Sequence, residues 1–295
     1  MDLNHPLSID LYPAGASPAF FLPHAPTFMD DAFLHQLYRE HHAVNRLPSP
    51  RLIEDWLDGM LEFLFPELST LRFASEQAFR LHYRTNDLKL YTILDGLSDH
   101  LPVPSDTIRQ EFERQLPTIR TTLLEDAEAI LAGDPAATSR VEVITTYPGF
   151  YALAVHRLAH QLHQQGVILL ARMLSEIAHG NTGIEIHPAA RIGRRFCIDH
   201  GTGIVIGETV EIADDVKMYQ GVTLGALSVK KEMARTKRHP TIEQEVVIYA
   251  GATILGGDTV IGAGSIIGGN TWIVKSVPPR SRIYYDWRVP ERPVQ

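Results

Sequence analysis

Two hydrophobic periodicities divide the chain, one in its first 180 residues and another in most of the remainder. Between about Pro50 and Gly133, apolar side chains recur three or four positions apart, which is the spacing of a helix with one buried face. The clearest example follows Ser49, a residue type that caps helices, and contains Leu52, Trp56, Leu57 and Met60. This region is therefore predicted to be helical.

Serine, proline and glycine set the expected limits of the next helices. One helix should run from Ser105, as its cap, to Gly133, and Pro117 should kink or divide it. Asp134 is followed by proline, an arrangement typical of the start of another helix.

Helical periodicity is absent over most of residues 1–50 and extends furthest in residues 147–180. The first of these segments is rich in Pro and His, and we expect an irregular arm with one short helix over about residues 30–41. The second should be a long helical segment that breaks near Gly166.

After Gly180 the spacing of the apolar residues changes to six. Four series show it, with a slip of two residues after the first: Ile186, Ile192, Ile198 and Ile204; Ile206, Ile212, Met218 and Leu224; Ile242, Ile248 and Ile254; Ile261, Ile267 and Ile273. This period fits short strands joined by tight turns, three to a coil, with one apolar side chain per turn pointing inward. An ordinary antiparallel sheet with glycine turns would have to produce all four series by coincidence. We therefore expect stacked coils with a continuous apolar core.

Composition narrows the classes of protein that need be considered. With 44% hydrophobic and 21% charged residues, the chain has an ordinary globular composition, and its net charge of −8 argues against a general nucleic-acid or membrane-surface binder. A single cysteine, Cys197, excludes a disulfide framework and suits a reducing compartment. It is either a small buried residue or a nucleophile. No apolar run is long enough for a membrane span and no signal-peptide pattern opens the chain, so we expect a cytoplasmic protein.

Four stretches of the six-residue region resemble a known family: IHPAARIG, IDHGTGIVIGET, YQGVTLGA and KRHPTI. They are similar to the hexapeptide acyltransferases, and within that superfamily to the serine O-acetyltransferases. The resemblance runs from about Asp134 to Pro279. It implies an α+β protein in which a helical domain, 51–181, precedes a left-handed parallel β-helix, 182–279, with a loop insertion at 227–240 and a tail at 280–295. It also implies acetyl transfer from acetyl-CoA to the hydroxyl of L-serine.

The same resemblance assigns site residues. His200, in its DHG context, takes the place of the general base, which removes the hydroxyl proton as the oxygen attacks the thioester. Glu185 takes the place of the acid that pairs with this histidine. Asp134 and Asp199 correspond to the residues near the serine amino group, and Arg238 and His239 to those near its carboxylate. Plainer interpretations remain open: Asp134 as a helix cap, Glu185 as a surface carboxylate, the Asp199–His200 pair as a solvated corner, and Arg238–His239 as the basic end of a loop.

The acyl donor is expected to lie against backbone groups and one lysine. By resemblance, Gly225, Ala250 and Gly251 receive the pantetheine arm, and Lys237 lies in a basic loop that can meet the CoA phosphates. The sequence of this loop, LGALSVKKEMARTK, departs from the pattern of the family. No tightly bound cofactor and no metal site are expected.

Assembly is also inferred from the resemblance. The family forms trimers whose active sites lie between neighbouring subunits, and helical N-terminal domains often join two trimers. Members that dock into O-acetylserine sulfhydrylase usually end in isoleucine, whereas this chain ends in Gln295, so we expect such docking to be weak or absent.

Three alternatives belong to other functional classes or to other acceptors. One is an acetyltransferase of the same superfamily that acts on a sugar or on another amino acid. Another is a γ-carbonic anhydrase, which requires three histidines around zinc in a spacing that His187, His200 and His239 lack. The last is a scaffold without catalytic activity.

Overall fold

The computed structural model describes residues 29–43, 47–227 and 236–285. Contacts divide the chain into two units, Met1–Arg46 and Leu47–Gln295. In the first unit, α1 spans Asp31–Ala43, which confirms the short helix expected in the arm. Residues 228–235 of the predicted loop, and the chain end with Gln295, lie outside the described residues.

The second unit begins with a group of helices. They are α2 Pro50–Leu64, α3 Glu76–Asp95, α4 Ser105–Gly133, α5 Arg140–Thr146, α6 Pro148–Gln164 and α7 Ile168–Thr182, with a 3-10 turn at Ser98–His100. None of the helices in the described ranges is long and apolar enough to cross a membrane. The predicted break near Gly166 is confirmed, because Gly166 has a φ of 81° between α6 and α7.

Several predicted helix limits differ in detail. Ser105 is the first residue of α4 rather than its cap, which is Pro104. Pro117 does not divide α4, because buried side chains on both sides of it, including Leu116 and Ile119, keep one apolar face packed. Asp134 does not start a helix: it caps the end of α4, and the next helix starts at Arg140.

The rest of the unit is a β-solenoid. Its described residues form fourteen short strands: β1 Glu185–Ile186, β2 Arg191–Ile192, β3 Cys197–Asp199, β4 Val205–Ile206, β5 Glu211–Ile212, β6 Lys217–Tyr219, β7 Thr223–Gly225, β8 Thr241–Ile242, β9 Val247–Ile248, β10 Thr253–Leu255, β11 Val260–Ile261, β12 Ile266–Ile267, β13 Trp272–Ile273 and β14 Arg282–Ile283.

These strands make three parallel sheets, one on each side of the coil. Sheet A is ordered β1-β4-β7-β10-β13, sheet B is ordered β11-β8-β5-β2, and sheet C is ordered β14-β12-β9-β6-β3. One inward column of sheet A pairs in register and is buried throughout: Ile186, Ile206, Leu224, Ile254 and Ile273. The six-residue period and the α+β fold class are thus confirmed.

The solenoid extends past the predicted end of its domain at Pro279. Strand β14 pairs with β12, and the backbone N–H of Gly268 donates to the carbonyl of Ile283 at 2.7 Å. The predicted tail therefore begins too early, because Ile283 continues the column of Ile267 with a spacing that is not six.

A buried ion pair joins the helices to the solenoid. The guanidinium of Arg157 on α6 donates to both carboxylate oxygens of Asp126 on α4, at 2.6 and 2.9 Å, and also to the carbonyl of Gly193 at 2.8 Å. Asp126, which is 0% exposed, accepts in addition from the backbone N–H of Phe196 at 3.0 Å. These bonds explain why contacts do not separate the predicted domains 51–181 and 182–279, which form one compact unit.

Replacing Asp126 by alanine is expected to lower the free energy of unfolding by about 3–5 kcal/mol, because it leaves the Arg157 charge buried without its partner. Urea unfolding followed by circular dichroism measures this. The exposed pair Glu128–Arg140, 3.0 Å apart, is the matched control, and its Glu128→Ala variant should lose about 1 kcal/mol or less. Equal losses in the two variants would contradict the importance of the buried pair.

Candidate active site

The corner that carries His200 is longer than its neighbour in the next coil. Five residues, 200–204, separate β3 from β4, whereas three, 220–222, separate β6 from β7. The two extra residues are the physical origin of the slip in the sequence period. They form a turn in which His200, Gly201 and Gly203 all have positive φ, at 58°, 97° and 80°. A Cβ atom on Gly201 would come within 2.5 Å of the Ile184 side chain, so this tight turn requires glycine.

This turn leaves His200 exposed and Asp199 buried beside it. The His200 side chain is 72% exposed, and its Nε2 lies 3.7 Å from Oδ1 of Asp199, whose side chain is only 9% exposed. The other carboxylate oxygen, Oδ2, lies 3.0 Å from Nζ of Lys217. Asp199 is thus held between an imidazole and an ammonium group.

Asp134 lies near this corner at the end of α4. Its Oδ2 accepts a hydrogen bond from the hydroxyl of Tyr147 at 2.6 Å, and its Oδ1 accepts one from the N–H of Ala136 at 2.8 Å. The bond from Tyr147 lowers the pKa of the Asp134 carboxyl, with further contributions from Ala136 and from the nearby charge of Lys217. The same bond raises the pKa of Tyr147 to about 12. Asp134 is therefore ionised at neutral pH and close to Asp199 and His200.

Arg238 and His239 lie at a different corner, where the chain passes from sheet A to sheet B. The Arg238 guanidinium forms an ion pair with Glu208. Nδ1 of His239 accepts from the backbone N–H of Thr209 at 3.1 Å, so its proton is on Nε2. Burial lowers the pKa of His239 to about 4. At neutral pH His239 is consequently an uncharged donor rather than a cation.

The predicted site residues therefore fall into two groups. The first group, at the corner between sheets C and A, contains Asp134, Asp199 and His200; the second, at the corner between sheets A and B, contains Arg238 and His239. Glu185 lies on β1, in the same coil as His200, and among the described residues no hydrogen bond or ion pair joins their side chains. One chain by itself does not bring all of these residues together.

The residues expected to hold the acyl donor divide in the same way. Ala250 and Gly251 form the turn between β9 and β10, at the corner of the first group, and Gly251 has a φ of 71°. Gly225 ends β7, and Lys237 donates to the carbonyl of Thr209 at 2.9 Å, both on the side of the second group. Within the described ranges, no cluster of three or more His, Cys, Asp or Glu side chains could hold a metal ion.

Sequence reasoning missed Lys217 and Tyr147, which contact Asp199 and Asp134. The register pairs Cys197 with Lys217 and Asp199 with Tyr219, one coil of twenty residues later, so counting by coils would have placed Lys217 beside this corner. No comparable signal marked Tyr147, because it reaches Asp134 from the start of α6. Cys197 itself is buried, and burial raises its pKa to about 12, which supports the interpretation as a core residue.

Comparison with known proteins gives consistent relatives, although no family model matches the chain. The chain is 47% identical over 266 residues to the plasmid serine acetyltransferase of Synechococcus elongatus, covering 80% of this chain and 81% of that protein. It is 45% identical over 188 residues to the serine acetyltransferase of Mycobacterium tuberculosis, covering 58% of this chain and 80% of that protein. Among solved structures, isoform 3 of the serine acetyltransferase of Entamoeba histolytica, in complex with cysteine, matches with a TM-score of 0.71 and 32% identity, over 88% of this chain and 92% of that one.

Proposed function

This chain belongs to the serine acetyltransferase family, and we propose that it makes O-acetylserine and CoA from L-serine and acetyl-CoA with His200 as the general base. The observation that carries this assignment of the base is the exposed imidazole at the lengthened corner, beside two ionised or buried carboxylates. An exposed histidine next to a groove can take a proton from a bound hydroxyl and return it later.

The reaction consists of one nucleophilic attack and one departure. Nε2 of His200 takes the hydroxyl proton of serine as the oxygen forms a bond to the thioester carbonyl. The C–S bond then breaks, and the proton passes to the sulfur of the departing CoA. A carboxylate near the imidazolium stabilises its charge; Asp199 lies on one side of the ring, and Glu185 is proposed for the other ring nitrogen.

The charges around the two corners suit an amino acid as the acceptor. Asp134 and Asp199 offer carboxylates to the ammonium group, while the Arg238 guanidinium and the Nε2–H of His239 offer donors to the carboxylate. Because these groups lie at different corners of one chain, we propose that a serine molecule meets Asp134, Asp199 and His200 of one subunit and the second group of a neighbour. This requires at least a homotrimer, and the helical region is proposed to join two trimers.

Acetyl-CoA is proposed to lie in the same cleft between subunits. Backbone groups of Gly225, Ala250 and Gly251 would contact the pantetheine arm, and Lys237 would attract the phosphates. We propose that acetyl-CoA is a co-substrate rather than a resident cofactor, that the protein works in the cytoplasm, and that docking into O-acetylserine sulfhydrylase is weak or absent.

A panel of acceptors tests the assignment to serine. With acetyl-CoA held constant and CoA thiol release as the readout, L-serine should react faster than L-homoserine or a sugar. 3-Hydroxypropionate, which lacks only the ammonium group, should react more slowly by a factor on the order of 10⁴, because Asp134 and Asp199 would be left facing no partner. A higher kcat/KM with L-homoserine or a sugar than with L-serine would instead support another acceptor.

A further inference from the structure

A partly buried lysine connects the two carboxylates of the first group. The Lys217 side chain on β6 is 17% exposed, and its ammonium group donates to the carbonyl of Gly133 at 2.6 Å as well as contacting Asp199. It also lies 4.4 Å from the ring centroid of Tyr219, which stacks on Tyr249 with ring centroids 5.1 Å apart. Lys217 thus contacts the last residue of α4, the end of β3 and an aromatic ring.

Each of these contacts has a clear electrostatic purpose. The carboxyl end of a helix carries partial negative charge, and Gly133 is the last residue of α4, immediately before Asp134. A cation at this point therefore stabilises the helix end that places Asp134. Burial lowers the pKa of Lys217, but hydrogen bonds to Tyr219 and Asp199 outweigh it and leave the pKa above its ordinary value, so the charge is present at neutral pH.

The local sum of charges also matches one ammonium ion. Asp134 and Asp199 bring two negative charges and Lys217 brings one positive charge, which leaves one net negative charge beside the neutral or protonated His200. Lys217 contacts Oδ2 of Asp199, whereas Oδ1 points toward His200, so the second oxygen stays available to an acceptor. Without Lys217, Asp199 would be a mostly buried carboxylate near Asp134 with no fixed cation.

We propose that Lys217 is a positioning residue for the acceptor: it holds Oδ2 of Asp199 and the backbone of Gly133, and so fixes the two carboxylates that receive the ammonium group. This inference rests on the proposed function and adds a residue to it. Lys217 does not touch the reacting atoms, and its effect is on acceptor binding rather than on the chemical step.

The test compares Lys217→Met, Lys217→Arg and a matched control. Lys89 also donates to a backbone carbonyl, that of Asp55 at 3.1 Å, but on α3, so Lys89→Met controls for the loss of a lysine. In Lys217→Met we expect the KM for L-serine to rise roughly 10- to 100-fold, with the KM for acetyl-CoA unchanged and kcat within about threefold. Lys217→Arg should restore most of the affinity for serine, and Lys89→Met should behave as wild type.

Two results would overturn the proposal. One is an unchanged KM for L-serine in folded Lys217→Met; the other is an equal rise in both KM values together with a lowered unfolding midpoint, which would indicate a structural role alone. If Lys217→Met does not fold, Lys217→Gln can still donate to Gly133 without a charge and serves the same comparison. Failure of the proposed function is distinct, because wild-type protein would then release no CoA with L-serine.

Discussion

Replacing His200 by asparagine is expected to lower kcat/KM for L-serine by about 10²–10⁴-fold, the usual contribution of a positioned general base. The fold should be retained, because the side chain is 72% exposed and its removal leaves no cavity. Asparagine is the better replacement for a second reason. Position 200 has a φ of 58°, a conformation that asparagine adopts readily and that alanine adopts at a cost of about 1 kcal/mol.

His200→Ala is therefore the companion variant rather than the main one. Both variants should lose the same activity, while only the alanine variant should unfold at a lower urea concentration. Steady-state CoA release measures the first quantity and circular dichroism the second. A kcat/KM within threefold of wild type in His200→Asn would remove His200 from the mechanism.

The division of the site between two corners leads to the second large effect. His200→Asn and Arg238→Ala should each be nearly inactive as purified oligomers. If one subunit supplies His200 and its neighbour supplies Arg238, mixed oligomers contain some sites that have neither change. For equal amounts mixed at random, one chain carries an intact His200 with probability one half and its neighbour an intact Arg238 with probability one half, so about a quarter of the sites should be active.

The six-residue period was sufficient to predict the solenoid because every coil repeats the same physical requirement. Each turn buries one apolar side chain, and the column from Ile186 to Ile273 satisfies that requirement at each level. The slip of two residues after Ile204 was visible in the sequence as well. Its meaning, a longer corner that presents His200, required the strand limits.

Contacts between residues distant in the sequence could not be predicted in the same way. Asp126 and Arg157 lie on separate helices and meet through tertiary packing, so no local period indicated them. The same holds for Tyr147 and Asp134. For this reason the sequence suggested two domains where one compact unit is present, and suggested a helix start where Asp134 ends a helix.

Protonation states likewise depended on burial that the sequence does not reveal. His239 and Arg238 were expected together as partners of a carboxylate, and the resemblance treated them alike. The bond from Thr209 and the burial of the ring make His239 a neutral donor, while Arg238 keeps its charge beside Glu208. The roles of all these residues, and of Glu185, remain predictions for mutagenesis.

Subunit mixing tests the central claim most directly, namely that two corners of neighbouring chains form one acetyltransferase site. His200→Asn and Arg238→Ala chains with different affinity tags are dissociated, combined in equal amounts and reassembled, and oligomers that carry both tags are isolated. We predict that the mixed oligomers recover about a quarter of wild-type CoA release with L-serine, whereas each variant treated alone recovers none. Verified mixed oligomers that stay as inactive as the two parents would contradict the claim and place the whole site within one chain.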